Sequence, residues 1–244
     1  MKFSVQPELF EQFPGLCIGV VVIKGCNNYG KHPEIQELLG EVETFVSNNF
    51  TAENTGMHEN IASWRKAFTR AGKEAATYHT PVEQLVKSIL THASIEQQNK
   101  LQDICNYISL KYLMPVSVDD LDKVFGDISL CRAQGTELFI GTGPGNAARV
   151  PRQDIIYKDE IEVLSRGWNA RKCYYTKATH DTKNAIIYVE GLPPVTYDET
   201  ASVVRELIEL IETFCTGTLG YHILTKDTPE VDIGPLADSI MLNY

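Results

Sequence analysis

Leu16-Cys17-Ile18-Gly19-Val20-Val21-Val22-Ile23-Lys24 is a short apolar run dominated by β-branched residues. Its length and composition predict a buried strand. The segment from Gly25 to Pro33 is rich in turn residues. From Glu34 the apolar residues change period, falling at Leu38, Leu39, Val42, Phe45 and Val46, the spacing of one helix face. One strand cannot form a sheet alone. The apolar residues of Tyr221–Leu224 offer a partner, and the two segments are expected to lie side by side. This pairing would tie the first αβ unit into one continuous domain over residues 1–244.

Between these ends the chain divides at Pro115. Before it, helical spacing predominates. Residues 59–72 place Trp64, Ala67 and Phe68 on one face. Thr80-Pro81 combines a capping hydroxyl with Pro at the first helical position, and Leu85, Val86, Ile89 and Leu90 continue the helix. Residues 97–112 turn Leu101, Ile104, Cys105, Ile108 and either Leu110 or Tyr112 inward. After Pro115 strand signals dominate, at Ile128–Cys131, Leu138–Ile140, Ile155–Tyr157, Glu162–Leu164 and Ala185–Val189. Asp198 to Cys215 is a strongly amphipathic helix, with Gly217 as its terminating residue.

Charge and cysteine usage narrow the function classes. The 244 residues carry 22 Lys and Arg against 32 Asp and Glu, a net charge of -10. A general nucleic-acid coat needs the opposite sign, because non-specific binding neutralises phosphates with Lys and Arg. Two basic sets, Arg65-Lys66-Arg70-Lys73 and Arg166-Arg171-Lys172-Lys177, would still make a local RNA-binding patch if the fold brought either together. The six cysteines are scattered with no C-x-x-C pair and no His at zinc-site spacing, so no metal or other cofactor is expected. Met1-Lys2-Phe3-Ser4 lacks the apolar run of a signal peptide, and no stretch is long and apolar enough to cross a bilayer. These features predict a cytoplasmic chain with reduced thiols and no membrane partner.

Most local motifs read as ordinary structure. Gly141-Thr-Gly143-Pro-Gly145-Asn146 resembles a phosphate loop, but no helical pattern follows it, and a turn is the expected outcome. Asp119-Asp120-Leu121-Asp122 and Asp159-Glu160 read as solvated turns. Ser109, Ser117 and Ser129 sit in no nucleophile elbow. The segment Ser165-Arg166-Gly167-Trp168-Asn169-Ala170-Arg171 differs: it crowds Trp, Asn and two Arg into a loop between strands. Such a loop suits either a packed turn or a site where Arg binds carboxylate or phosphate and Trp walls a pocket.

An ordered set of segments carries a resemblance. It includes Thr80-Pro81-Val82-Glu83-Gln84-Leu85, Asn106-Tyr-Ile-Ser109-Leu110-Lys111-Tyr112, Pro115-Val116, Asp120-Leu121-Asp122, Gly126-Asp127-Ile128, Arg132-Ala133, Glu137-Leu138-Phe139, Tyr157-Lys-Asp159, Arg166-Gly-Trp168-Asn169-Ala-Arg171 and Thr179-His-Asp-Thr182-Lys-Asn184. Over roughly residues 60–215 the chain resembles free-standing B3/B4-domain proteins, which are similar to the editing domain of the bacterial phenylalanyl-tRNA synthetase β subunit. The resemblance implies an α+β (mixed α/β) fold, with central β-structure flanked by helices and a pocket between its halves. It implies trans-editing hydrolysis of a mischarged aminoacyl-tRNA, with the amino-acid-bearing tRNA 3′ end as partner. A non-catalytic RNA-binding module and a pocket for an amino-acid-like metabolite remain alternatives.

Carried onto this chain, Asn169 and Arg171 would be catalytic. Asn106, Ser109, Ser117, Arg132, Trp168, Thr179, Thr182 and Asn184 would bind substrate. Ser117 stands where the synthetase domain has a pocket His, and none of Arg171–Tyr174 supplies its pocket Glu. The synthetase's route to tyrosine selectivity is therefore not implied.

Overall fold

A computed structural model describes residues 1–73, 78–92, 94–141, 143 and 145–234. In chain order it begins with β1 (Lys2–Val5), α1 (Pro7–Gln12), β2 (Cys17–Lys24), α2 (Pro33–Asn49) and α3 (Glu59–Arg70). Next come α4 (Pro81–His92), α5 (Lys100–Tyr112), β3 (Val116–Asp120), β4 (Ile128–Arg132), β5 (Leu138–Ile140) and β6 (Ala147–Arg149). The chain continues through β7 (Ile155–Lys158), β8 (Val163–Arg166), β9 (Arg171–Lys172) and β10 (Ala185–Gly191). It closes with α6 (Tyr197–Cys215), β11 (Thr218–Leu224) and β12 (Glu230–Asp232). The fold is mixed α+β, with β-structure flanked by helices.

The run that opens the sequence is the spine of one sheet. That sheet has the order β11-β2-β10-β3, all antiparallel. β2 and β10 are buried on both faces, which explains an uninterrupted apolar run where alternation would mark a half-exposed strand. β11 pairs with β2 from Thr218–Lys24 to Leu224–Ile18, as the apolar return after Cys215 predicts. The first αβ unit thus contributes the middle of this sheet.

α6 packs across one face through Val203, Val204, Leu207, Ile208 and Ile211, together with α2 and α5. Gly19 permits the close approach, because a Cβ there would collide with Val204 Cγ2. The start of α6 is fixed by a capping box. Thr196 Oγ1 accepts from Glu199 N, and Glu199 Oε2 accepts from Thr196 N at 2.7 Å.

The second sheet has the order β12-β1-β4-β7-β8-β9. Between the sheets lies an aromatic-rich core of Phe3, Phe13, Trp64, Phe68, Tyr157, Trp168 and Tyr188. β5 and β6 form a separate two-stranded hairpin, whose Phe139 packs with Ile156, Val163 and Cys173. The segment 141–146, expected as a turn, lies between its strands, and residues 142 and 144 of it are outside the described residues. Five of the six cysteines are buried and none is disulfide-bonded. Among the described residues no helix is long and apolar enough to cross a membrane, and no group of His, Cys, Asp or Glu is arranged to hold a metal ion.

Several elements escape sequence reading. β1, β6, β9 and β12 span two to four residues, too short for a period to register. β3 was hidden because Val116-Ser-Val-Asp119-Asp120 ends in two carboxylates that read as a solvated turn. The structure corrects that reading: Asp119 and Asp120 are buried strand residues. Asp119 accepts from Thr176 Oγ1 at 2.8 Å and pairs with Lys172, while Asp120 accepts from Thr182 Oγ1 at 2.8 Å and pairs with Lys123 at 3.0 Å. Burial of an ionised group requires such partners, and all of them come from distant parts of the chain or the next turn. Asp159 is also buried. It holds a turn by accepting from the backbone of Phe125, Ile161 and Glu162.

A candidate binding cleft between two sheet edges

β3 is the outer strand of one sheet and β9 the outer strand of the other. Where these edges face one another a cleft of about 690 Å³ opens, walled by α4, the start of α5 and the β5–β6 hairpin. The Lys172–Asp119 ion pair and an isolated bridge between Asp119 and Lys177 hold the edges together. The Gln84 amide of α4 donates to Ala170 O at 3.1 Å, tying the wall to the turn before β9. α4 is itself anchored by Glu83. Burial alone would raise this carboxyl, but Arg65, His79 and Lys87 around it hold it below the usual carboxylate range.

The turn between β8 and β9 seats one side chain in the core and places its neighbours along the cleft. Gly167 and Trp168 both have positive φ, 60° and 62°, a conformation that costs energy for a Trp. One backbone and one side-chain bond hold it: Trp168 N donates to Ile155 O at 2.6 Å and Ser165 Oγ to Trp168 O at 2.7 Å. A Cβ at Gly167 would lie 2.7 Å from the Tyr78 ring. The reversal sends the Trp168 indole into the core against Phe13 and Trp64, and leaves Asn169 and Arg171 lining the cleft.

Four of the ten candidate residues named from sequence meet in this cleft: Asn106, Ser117, Asn169 and Arg171. The other six do not line it. Ser109 is fully buried and donates to Met114 O at 2.6 Å, closing the end of α5. Trp168 is a core residue, 1% exposed. Arg132, on the interior strand β4, donates to Gln153 O and Gln12 Oε1. Thr182 serves Asp120, Thr179 N donates to Thr182, and Asn184 Nδ2 donates to Asp122 at 2.7 Å. These three residues fix the loop before β10, because Asp120 and Asp122 need donors there.

The cleft mixes apolar and polar surface, and its charge is cationic. Arg166, Arg171, Lys172 and Lys177 all line it, against one carboxylate, Glu96. The second basic set seen in the sequence therefore converges in space. Lys172 is neutralised by Asp119, whereas Arg166, Arg171 and Lys177 have no carboxylate partner among the described residues. The Arg166 guanidinium lies over the Phe139 ring at 5.4 Å. Of the first basic set, Arg65, Lys66 and Arg70 line a separate open hollow on α3, with Arg65 paired to Glu83 and Lys73 to Asp154.

Beneath the cleft floor is a residue that sequence reading missed. Glu190 on β10 is 1% exposed and accepts from Tyr157 Oη at 2.7 Å, Trp168 Nε1 at 2.8 Å and Asn169 Nδ2 at 2.5 Å. Burial raises its pKa, and the bonds from Tyr157, Asn169 and Trp168 offset part of that rise. In sequence Glu190 sits at the end of an apolar strand beside Gly191. A charged residue in a strand buried on both faces was the available signal.

Chemically the cleft offers amides and cations rather than an activated nucleophile. Ser88 and Ser117 are its serines, and no histidine lines it among the described residues. Burial raises the thiols of Cys17, Cys26 and Cys131, which keeps them protonated at neutral pH. Hydrogen-bond donors for a developing oxyanion, by contrast, are abundant.

The B3/4 domain model matches residues 63–216, a stretch that contains every residue of this cleft. The chain belongs to the B3/4 domain family. It is 18% identical over 228 residues, 92% of its length, to the uncharacterized protein YhzB of Bacillus subtilis (strain 168), all of which is covered. A solved structure, an N-terminal fragment of the phenylalanyl-tRNA synthetase β subunit from Pyrococcus horikoshii, aligns with a TM-score of 0.43 and 14% identity over 96% of this chain. The chain spans about half (55%) of that fragment. The B3/4 match begins after β2, although β2 is the central partner of β10 within the matched region.

Proposed function

We propose that this B3/4 chain hydrolyses the ester of a mischarged aminoacyl-tRNA, whose amino-acid-bearing 3′ end enters the cleft between β3 and β9. The observation that carries the reading is the gathering of Arg166, Arg171, Lys172 and Lys177 with Asn106 and Asn169 in one cleft, on a chain whose net charge is -10. Positive charge is thereby concentrated in this cleft, where a phosphate-bearing 3′ end would be drawn.

The chemistry required is modest. Water adds to the ester carbonyl carbon, the carbonyl oxygen becomes an oxyanion, and the bond to the ribose oxygen breaks with a proton returning to that oxygen. Arg171 supplies a charged donor to the oxyanion, and Asn169 orients the ester or the water. The shape of the cleft decides which amino acid enters, as a second sieve.

The test is release of amino acid from a panel of correctly and wrongly charged tRNAs, wild type beside Arg171→Ala and Asn169→Ala. Selective release from one mischarged species, falling by about 10²–10³ in rate in Arg171→Ala, is expected for loss of one oxyanion donor. Retained activity in both variants would remove these residues from the mechanism. If no species is hydrolysed, a salt titration of tRNA binding separates the remaining readings. An RNA-binding module loses affinity steeply with salt, whereas a pocket for a neutral amino-acid-like metabolite does not.

A further inference from the structure

Asn169 has one polar atom with a partner and one without. Its Nδ2 donates to Glu190 Oε2, while its buried Oδ1 receives no hydrogen bond among the described residues. The orientation of this amide is dictated by Glu190. Oε1 of that carboxylate is taken by Tyr157 and Trp168, and Oε2 faces Asn169. An ionised carboxylate only accepts, and facing it the amide turns its NH2 inward and its oxygen away. Asn169 lines the cleft, whose wall also carries Arg and Lys donors, and its Oδ1 is a buried acceptor left without a donor among the described residues. Leaving a buried acceptor unpaired is costly, and a bound donor would recover that cost.

We propose that Glu190 is a positioning residue that locks the Asn169 amide, so that Oδ1 is presented to the cleft as the acceptor for an O–H or N–H group of the ligand. This inference rests on the proposed function for its choice of ligand, a 3′ end offering ribose hydroxyls and an α-ammonium. The amide orientation itself rests only on the contacts above.

Glu190→Gln tests it with almost no change of shape. The introduced amide oxygen still accepts from Tyr157 and Trp168, but the introduced NH2 now faces Asn169. The Asn169 amide must flip, turning the cleft acceptor into a donor. Adding Asn169→Asp reverses the effect. The amide introduced at position 190 then donates to one carboxylate oxygen at position 169, and the other oxygen faces the cleft.

Two readouts keep the inference separate from the reaction. The first needs no ligand: the Asn169 side-chain NH2 resonances, assigned by their loss in Asn169→Asp, should be slow to exchange with solvent in wild type and fast in Glu190→Gln. The second is NMR titration with two probe pairs, adenosine against 2′,3′-dideoxyadenosine and phenylalaninamide against 3-phenylpropanamide. Each pair differs in the ribose hydroxyls or the amino group alone, so the pair that responds names the donor.

For that pair, Glu190→Gln should weaken the donor-bearing probe about tenfold, the scale of one net hydrogen bond, and leave its counterpart unchanged. Affinity should return in Glu190→Gln/Asn169→Asp. Equal weakening of both members, no weakening, or an Asn169 NH2 that stays protected in Glu190→Gln would overturn the proposal. If no probe binds wild type, its ligand half is wrong. Absence of deacylation with normal probe discrimination would overturn the proposed reaction and leave the positioning role standing.

Discussion

At the level of single residues, the carboxylate of Glu190 governs what Asn169 shows to the cleft. Three donors depend on it, so Glu190→Ala should leave Tyr157, Trp168 and Asn169 unpaired in the core and destabilise the protein by about 3–5 kcal/mol in urea unfolding. Its pH signature has a definite sign. Burial raises the folded pKa above the unfolded one, so the folded state holds the proton more tightly. The stability of wild type relative to Glu190→Gln should be greatest below the ordinary carboxylate range and decline as pH rises through the elevated value. A difference that stays flat across a pH series of unfolding midpoints would contradict this. Arg171, exposed and without a hydrogen bond among the described side chains, should by contrast be replaceable by Ala with a stability change within about 0.5 kcal/mol.

Elements carry a second group of expectations. α6 depends on its capping box, and Thr196→Ala should cost about 1 kcal/mol. Its seat on the sheet depends on the missing side chain at residue 19. Gly19→Ala drives a methyl into Val204 and should cost about 1–3 kcal/mol, read as a lowered unfolding midpoint. Both features were legible in sequence only in part. The helix from Asp198 to Cys215 announced itself through apolar positions at helical spacing, and β2 through its β-branched run. The glycine within that run gave no sign of which helix it would meet. The shortest strands were illegible for a different reason. Two to four residues carry no usable period, and they are strands only because a neighbour pairs with them.

Across the whole molecule, the cleft exists because two sheet edges are clipped together. Lys172→Ala would leave Asp119 buried without its cation and should destabilise by about 3–5 kcal/mol. Lys172→Met with Asp119→Asn should recover most of the loss, both checked by thermal and urea unfolding. The long elements were already set in the amino-acid order, because hydrophobic period and capping chemistry are local. So were the pairing partner for β2, the two basic sets, and a loop rich in Arg, Asn and Trp. Which members of that loop face inward was settled only by folding. Two consecutive left-handed residues send Trp168 to the core and its neighbour Asn169 to the cleft, a division that composition cannot encode. Folding alone likewise made Asp119 and Glu190 interior carboxylates. A charge is tolerated in a core only where distant donors converge on it, and convergence is a property of the folded chain.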